Sequence, residues 1–269
     1  MATAQPGRPL PTRTDCVVGG QSLSWLERPG DDPPVVLLHG WGASAGTFGP
    51  LLRQSRTQRR LVALDLPGFG ESPIGAAGWT TAAYSQLLRD WLVLRGWERF
   101  SLLGHSYGGS ISLRIAAEPG LQPDRLLLCS AAGVRPAAQL APTLRVRGFK
   151  ALRASARRLP GPAARVTTEW LARRFGSADY RAASPELRAT LVAAVREDLS
   201  RQASQISVPT LVIWGARDQE LPLDPEGRRL AALIPPAELV VFEASGHFPF
   251  LDDPGRFALV FDSFMNAEL

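Results

Sequence analysis

The sequence predicts an α/β fold: a mostly parallel, twisted sheet covered by helices on both faces, with a helical cap inserted into it. Three observations predict this. Short Leu- and Val-rich runs alternate with longer stretches of helical spacing. The runs are almost continuously apolar, as strands buried on both faces are. One long stretch breaks the alternation with helix-like pieces alone.

Taken in order, residues 1–12 are expected to form a loose tail. The opening MATAQPGRPLPTRT has neither a basic segment leading into an apolar one nor a small-residue cleavage site, so it does not resemble a secretion signal. CVVGGQSLSWLER reads as an antiparallel hairpin at one sheet edge, with Gly19-Gly20 near its turn. VVLLHG then GTFGPLLRQ, LVALDLPG then TTAAYSQLLRDWLVLRG, and FSLLGHS then YGGSISLRIAAEP give strand–helix pairs, followed by RLLLCSAAG. TLVIWGARD, DPEGRRLAALIP, ELVVFEASGH and DPGRFALVFDSFM resume the alternation. The core is thus expected over 13–134 and 208–269, and the cap over 135–207, one domain with an insertion.

The cap pieces LRVRGFKALRASARRL, ARVTTEWLARRF and SPELRATLVAAVREDL have helical spacing. From Arg135 to Arg174 there are ten basic residues against Glu169 alone. Phe149, Leu152, Ala156 and Leu159 share one helical face with arginines around them. Such a stripe fits a helix on an anionic membrane surface or over an anionic substrate, and equally a packed lid helix with a solvated outer face; the last is the ordinary signature of a core-facing helix.

Of 269 residues, 45% are apolar and 20% charged, the make-up of an ordinary globular protein. A net charge of +5 does not point to nucleic acid, and no apolar run approaches the roughly 18 residues of a membrane span. The expected setting is cytoplasmic. Cys16 and Cys129 are too few for a disulfide framework or zinc site, and Cys129 reads as a small buried hydrophobe. His39, His105 and His247 lack metal-ligand spacing, so neither a metal nor another cofactor is expected. Only Lys150 among the thirty basic residues is lysine, a bias whose origin the sequence does not separate.

Gly-x-Ser-x-Gly occurs twice, around Ser44 in HGWGASAG and around Ser106 in LLGHSYGG. The motif presents a nucleophile on a tight strand-to-helix turn. Ser106 fits, because FSLL runs into Gly104, only His105 intervenes, and a helix with Ile111, Leu113, Ile115 and Ala116 follows. Ser44 lies beyond the Gly40-Trp41-Gly42 turn, and helix-like residues begin only near Thr47. Its glycine-rich loop suits oxyanion binding through free N–H groups better than strained presentation of a side chain, and Ser44 reads as a loop or N-cap serine.

A nucleophilic serine needs a base, and the base an orienting acid. Asp218 follows TLVIW and His247 follows ELVVF, each in a loop just past a strand. Loops at the ends of parallel strands share one sheet edge, so Ser106, Asp218 and His247 can converge there. Asp65 precedes Ser106 in the chain and is assigned to loop architecture; the loop after RLLLCSAAG has no acid. His39 reads as a hydrogen-bonding loop residue and His105 as a neighbour of the nucleophile.

HGWG, DLPGFGES, GHSYGG, WGARDQELP and SGHFPFLDDP together resemble the α/β-hydrolase superfamily, in its capped branch of small serine hydrolases. The resemblance covers most of the chain outside the tail and cap. It implies an oxyanion hole from the backbone N–H groups of Trp41 and Tyr107. It also implies acyl chemistry on serine: hydrolysis of carboxylic esters, with C–C bond hydrolysis of β-diketone-like ring-fission products or metal-free perhydrolysis as alternatives. A non-catalytic ligand-binding module on the same scaffold is the alternative of another class. Trp41, Tyr107, Trp170 and Phe248 would give an apolar pocket for a small to medium acyl group, the partner being a small-molecule ester.

Overall fold

In the computed structural model, residues 9–75, 79–135, 155 and 178–267 are described. The chain opens with the predicted hairpin. Strands β1 (Thr12–Val18) and β2 (Gln21–Arg28) pair antiparallel, and Gly19 and Gly20 turn between them with φ of 56° and 82°. Positive φ at both central positions is what a two-residue turn matching the strand twist requires, and glycine adopts it without steric penalty.

Strands β3 (Asp31–Leu38), β4 (Arg59–Asp65), β5 (Ser101–His105), β6 (Arg125–Cys129), β7 (Thr210–Gly215) and β8 (Ala237–Phe242) complete an eight-stranded sheet of order β1-β2-β4-β3-β5-β6-β7-β8. From β4 to β8 all neighbours are parallel, and β2 joins β4 antiparallel. Register sets Leu38 opposite Gly104 and Gly104 opposite Leu128.

Side chains alternate between two cores, as the two-residue period of a strand demands. Val36, Leu38, Val62, Leu64, Leu102 and Leu128 face one side, under helices α2 (Thr81–Leu94) and α3 (Tyr107–Ala117). Val35, Leu37, Leu61, Ala63, Leu103 and Leu127 face the other, under α1 (Gly49–Gln54) and the later C-terminal helices. This two-sided burial explains why the strands read as unbroken apolar runs.

After β6 the described chain resumes in helices α4 (Ala178–Ala182), α5 (Pro185–Arg196) and α6 (Ser200–Ala203). Ser184 caps α5, accepting from the Leu187 N–H at 3.4 Å, and Pro185 opens its first turn. Helix α7 (Arg228–Leu233) links β7 to β8, and α8 (Pro249–Asp252) and α9 (Pro254–Asn266) follow β8. Asp253 caps α9 through the Arg256 N–H at 3.2 Å. The predicted pieces LRVRGFKALRASARRL and ARVTTEWLARRF, with the Phe149–Leu159 stripe and Trp170, lie outside the described residues apart from Ser155. Among those residues no helix is long and apolar enough to cross a membrane.

Candidate active site

Ser106 stands between β5 and α3 with φ 51° and ψ −115°, one of two non-glycine residues at positive φ among those described. Such a backbone costs on the order of 1–3 kcal/mol and persists only where its surroundings fix it. Here they do. The Ser106 N–H donates to the Cys129 carbonyl at 3.1 Å, and its own carbonyl accepts from the N–H groups of Gly109 and Ala132, both at 2.9 Å. The turn is tight enough that a β-carbon on Gly104 would strike Ser112 and Gly109, and one on Gly108 would strike the Leu38 and His39 carbonyls. Small residues flank the serine because backbone passes where side chains would go.

Asp218, past β7, and His247, past β8, meet. His247 Nδ1 lies 2.8 Å from Asp218 Oδ2, with both residues buried. The other carboxylate oxygen accepts from the N–H groups of Glu220 and Leu221, each at 2.9 Å. Burial alone would raise the pKa of Asp218, but the hydrogen bonds from His247 and these amides outweigh it and hold the carboxyl below its ordinary range. The carboxylate can only accept, so His247 Nδ1 is the donor in this contact, which turns Nε2 away from Asp218. Nε2 faces the exposed Glu220 carboxylate at 3.6 Å.

His247 reaches the elbow through His105. His105 Nε2 donates to the His247 carbonyl at 2.9 Å, and the two rings lie 4.9 Å apart. Burial, reinforced by the neighbouring His247, pushes the His105 pKa down to about 3, so this ring is a neutral tether. Its position beside the serine was legible; its grip on a loop 142 residues away was not. Phe248 packs against both rings, at 4.8 Å from His105 and 5.1 Å from His247.

Trp41, in the loop after β3, lies 5.5 Å edge-on from the Tyr107 ring. A β-carbon on Gly40 would meet His105 and the Ser106 β-carbon within 3.0 Å, so this loop lies directly against the elbow. Neither the Trp41 nor the Tyr107 N–H donates to any described acceptor. Tyr180 of α4 and Leu191 of α5 pack on Trp41, contacts with no distinctive sequence signal. Trp170 lies outside the described residues.

Ser44 is the N-cap residue of the 3-10 turn Ala45–Phe48, its N–H donating to Thr47 Oγ1 at 3.4 Å. Asp65 is buried and binds Arg13 at 2.6 Å, the Ala45 N–H at 2.6 Å and the Glu71 N–H at 3.1 Å. His39 is buried too, donating from Nδ1 to the Gly40 carbonyl at 2.7 Å and accepting the Leu66 N–H at Nε2. These three groups hold loops together.

Known proteins align with this arrangement. A model of the alpha/beta hydrolase family matches residues 35–259. An uncharacterized protein of Mycobacterium tuberculosis is 30% identical over 262 residues, covering 88% of this chain and 76% of that protein. A pimeloyl-acyl-carrier-protein methyl ester esterase of Aeromonas salmonicida is 29% identical over 257 residues, covering 86% of this chain and 95% of the esterase. Among solved structures, a membrane phospholipase A described as a bacterial virulence factor superposes with a TM-score of 0.72 at 26% identity, over 96% of this chain and 88% of that one. With its family match spanning the core from β3 to α9, the chain belongs to the alpha/beta hydrolase family.

Proposed function

We propose that this protein is a serine hydrolase of carboxylic esters with small to medium apolar acyl groups. The observation that carries the reading is the 2.8 Å contact between His247 Nδ1 and Asp218 Oδ2, on a loop that His105, the residue before the strained Ser106, holds through the His247 carbonyl. In this mechanism His247 Nε2 takes the Ser106 proton as Oγ attacks the ester carbonyl, and Asp218 stabilises the resulting imidazolium. The N–H groups of Trp41 and Tyr107 receive the oxyanion; losing one such donor commonly costs about 100- to 1000-fold in turnover. The tetrahedral intermediate expels the alcohol, which takes its proton from His247. Water, deprotonated by the same imidazole, then attacks the acyl-enzyme and releases the acid.

Trp41, Tyr107 and Phe248 form the apolar walls of the proposed acyl pocket. Residues 135–207 are its cap, a reading supported by the packing of Tyr180 and Leu191 on Trp41. The methyl ester esterase and the phospholipase among the similar proteins are ester hydrolases by name, which favours ester over C–C chemistry.

A fluorophosphonate probe tests the nucleophile. Wild-type protein and Ser44→Ala should label, and Ser106→Ala should not; labelling lost in Ser44→Ala and kept in Ser106→Ala would reverse the assignment. A series of p-nitrophenyl esters assayed beside a ring-fission diketone tests the chemistry, and faster turnover of the diketone would displace the esterase reading.

A further inference from the structure

His247 stands between two carboxylates. Asp218 takes Nδ1 at 2.8 Å, and Glu220 Oε2 lies 3.6 Å from Nε2, the nitrogen that the proposed mechanism uses on the serine and on the departing alcohol. The two acids differ in setting: the Asp218 side chain is sealed from solvent, and that of Glu220 is 67% exposed. An imidazolium carries one positive charge, which Asp218 balances. Glu220 therefore adds a surplus negative charge at the same ring.

Backbone contacts fix where that charge stands. The Glu220 N–H donates to Asp218 Oδ1 at 2.9 Å, the Leu221 N–H donates to the same oxygen, and the Leu221 carbonyl accepts from Trp214 Nε1 at 2.8 Å. Trp214 is buried on β7, so the loop is tied to the sheet one residue beyond Glu220. Other acids of the neighbourhood are engaged: Asp224 pairs with Arg228 at 2.9 Å, and Asp252 accepts the Gly246 N–H at 2.8 Å. Among the described residues no arginine pairs with Glu220, Arg217 three positions earlier included.

The alcohol half of the ester must pass this carboxylate. Proton transfer from Nε2 to the alcohol oxygen needs the two within about 3 Å, so that oxygen stands no more than about 7 Å from Glu220 Oε2. A cationic nitrogen two or three carbons along the alcohol then comes within reach of the carboxylate. An anionic group at the same place is repelled, and an alkyl group gains nothing from the charge.

Resting on the ester-hydrolase reading, we infer that Glu220 selects the alcohol half of the substrate, favouring esters of amino alcohols whose ammonium group lies two or three carbons from the ester oxygen. The carboxylate is exposed, so its effect is moderate and screened by salt. An anionic substrate, the alternative raised by the basic stretch 135–174, gives the opposite order.

Three esters of one acyl group, that of the best p-nitrophenyl substrate, separate these cases, with alcohols similar in size and different in charge: 2-(trimethylammonio)ethyl, 3,3-dimethylbutyl and 3-carboxypropyl. At low ionic strength kcat/KM should fall in that order, with about 3- to 5-fold between the first two, the size of an exposed charge pair. Raising salt to about 1 M, where the Debye length is about 3 Å, should bring that ratio to within about 2-fold. Glu220→Gln, which keeps the N–H on Asp218, should do the same at low salt, and Glu238→Gln, an exposed acid at the far end of β8, should keep the wild-type ratio. A cationic ester no faster than the neutral one, an anionic ester fastest of all, an order that survives Glu220→Gln, or one that Glu238→Gln also erases would overturn the inference. Turnover of the 3,3-dimethylbutyl ester without the ranking would remove this inference and leave the ester-hydrolase reading standing. Turnover of none of the three, nor of any p-nitrophenyl ester, would remove both.

Discussion

At the scale of single residues, the proposed site rests on charges whose protonation the fold sets. Asp218 is held ionised by its His247 and backbone hydrogen bonds, so its contribution to stability is present above the ordinary carboxylate range and is lost as pH falls through its lowered folded value. Asp218→Asn should retain the fold and lower turnover about 10,000-fold, because the amide favours the wrong imidazole tautomer; steady-state kinetics on the best p-nitrophenyl ester measures it. His105 acts with the opposite chemistry. Its folded pKa of about 3 lies below the unfolded value near 6.5, so between those limits the unfolded chain binds the extra proton and stability falls with falling pH. From pH 6.5 to 5 this residue accounts for about 2 kcal/mol of lost stability. Urea unfolding of His105→Gln across that range should show a correspondingly shallower decline.

At the scale of elements, the elbow depends on the approach of α3 to β3. The Gly108 position lies against the Leu38 and His39 carbonyls, and an added methyl has no room there. Gly108→Ala should therefore cost about 2–3 kcal/mol, read from the urea midpoint. It should also slow turnover, because the displaced backbone leads into the Trp41 loop. Thr81 of α2 and Arg114 of α3 both bind Glu197, the residue that ends α5, and so fasten the exit of the helical segment to the core. The sequence made the strands, the elbow turn and α5 legible, since apolar period, glycine spacing and a Ser-Pro cap are local signals. Tyr180, Leu191 and Glu220 carry no such signal: their place beside Trp41 and His247 arises from contacts between distant segments.

At the scale of the whole molecule, the C-terminal helix closes the structure against its first third. Asp262 of α9 accepts from Ser55 Oγ at 2.5 Å, the Arg56 N–H at 2.6 Å and the Thr57 N–H at 3.2 Å, joining α9 to the turn between α1 and β4. Asp262→Ala would remove the carboxylate that these three donors share. A loss of about 3 kcal/mol is expected in thermal or urea unfolding, with kcat at its wild-type value because α9 takes no part in the proposed chemistry.

What the sequence determined by itself was the order of strands and helices along the chain, the buried character of the parallel sheet, and which serine stands at a strand-to-helix turn, because these follow from periodicity and backbone sterics within a few residues. Only the tertiary structure decided that His105 grips the His247 loop, that Glu220 approaches the same imidazole, and that Tyr180 and Leu191 pack on Trp41. Those outcomes depend on which side chains meet across the sheet edge, and local spacing does not encode such meetings.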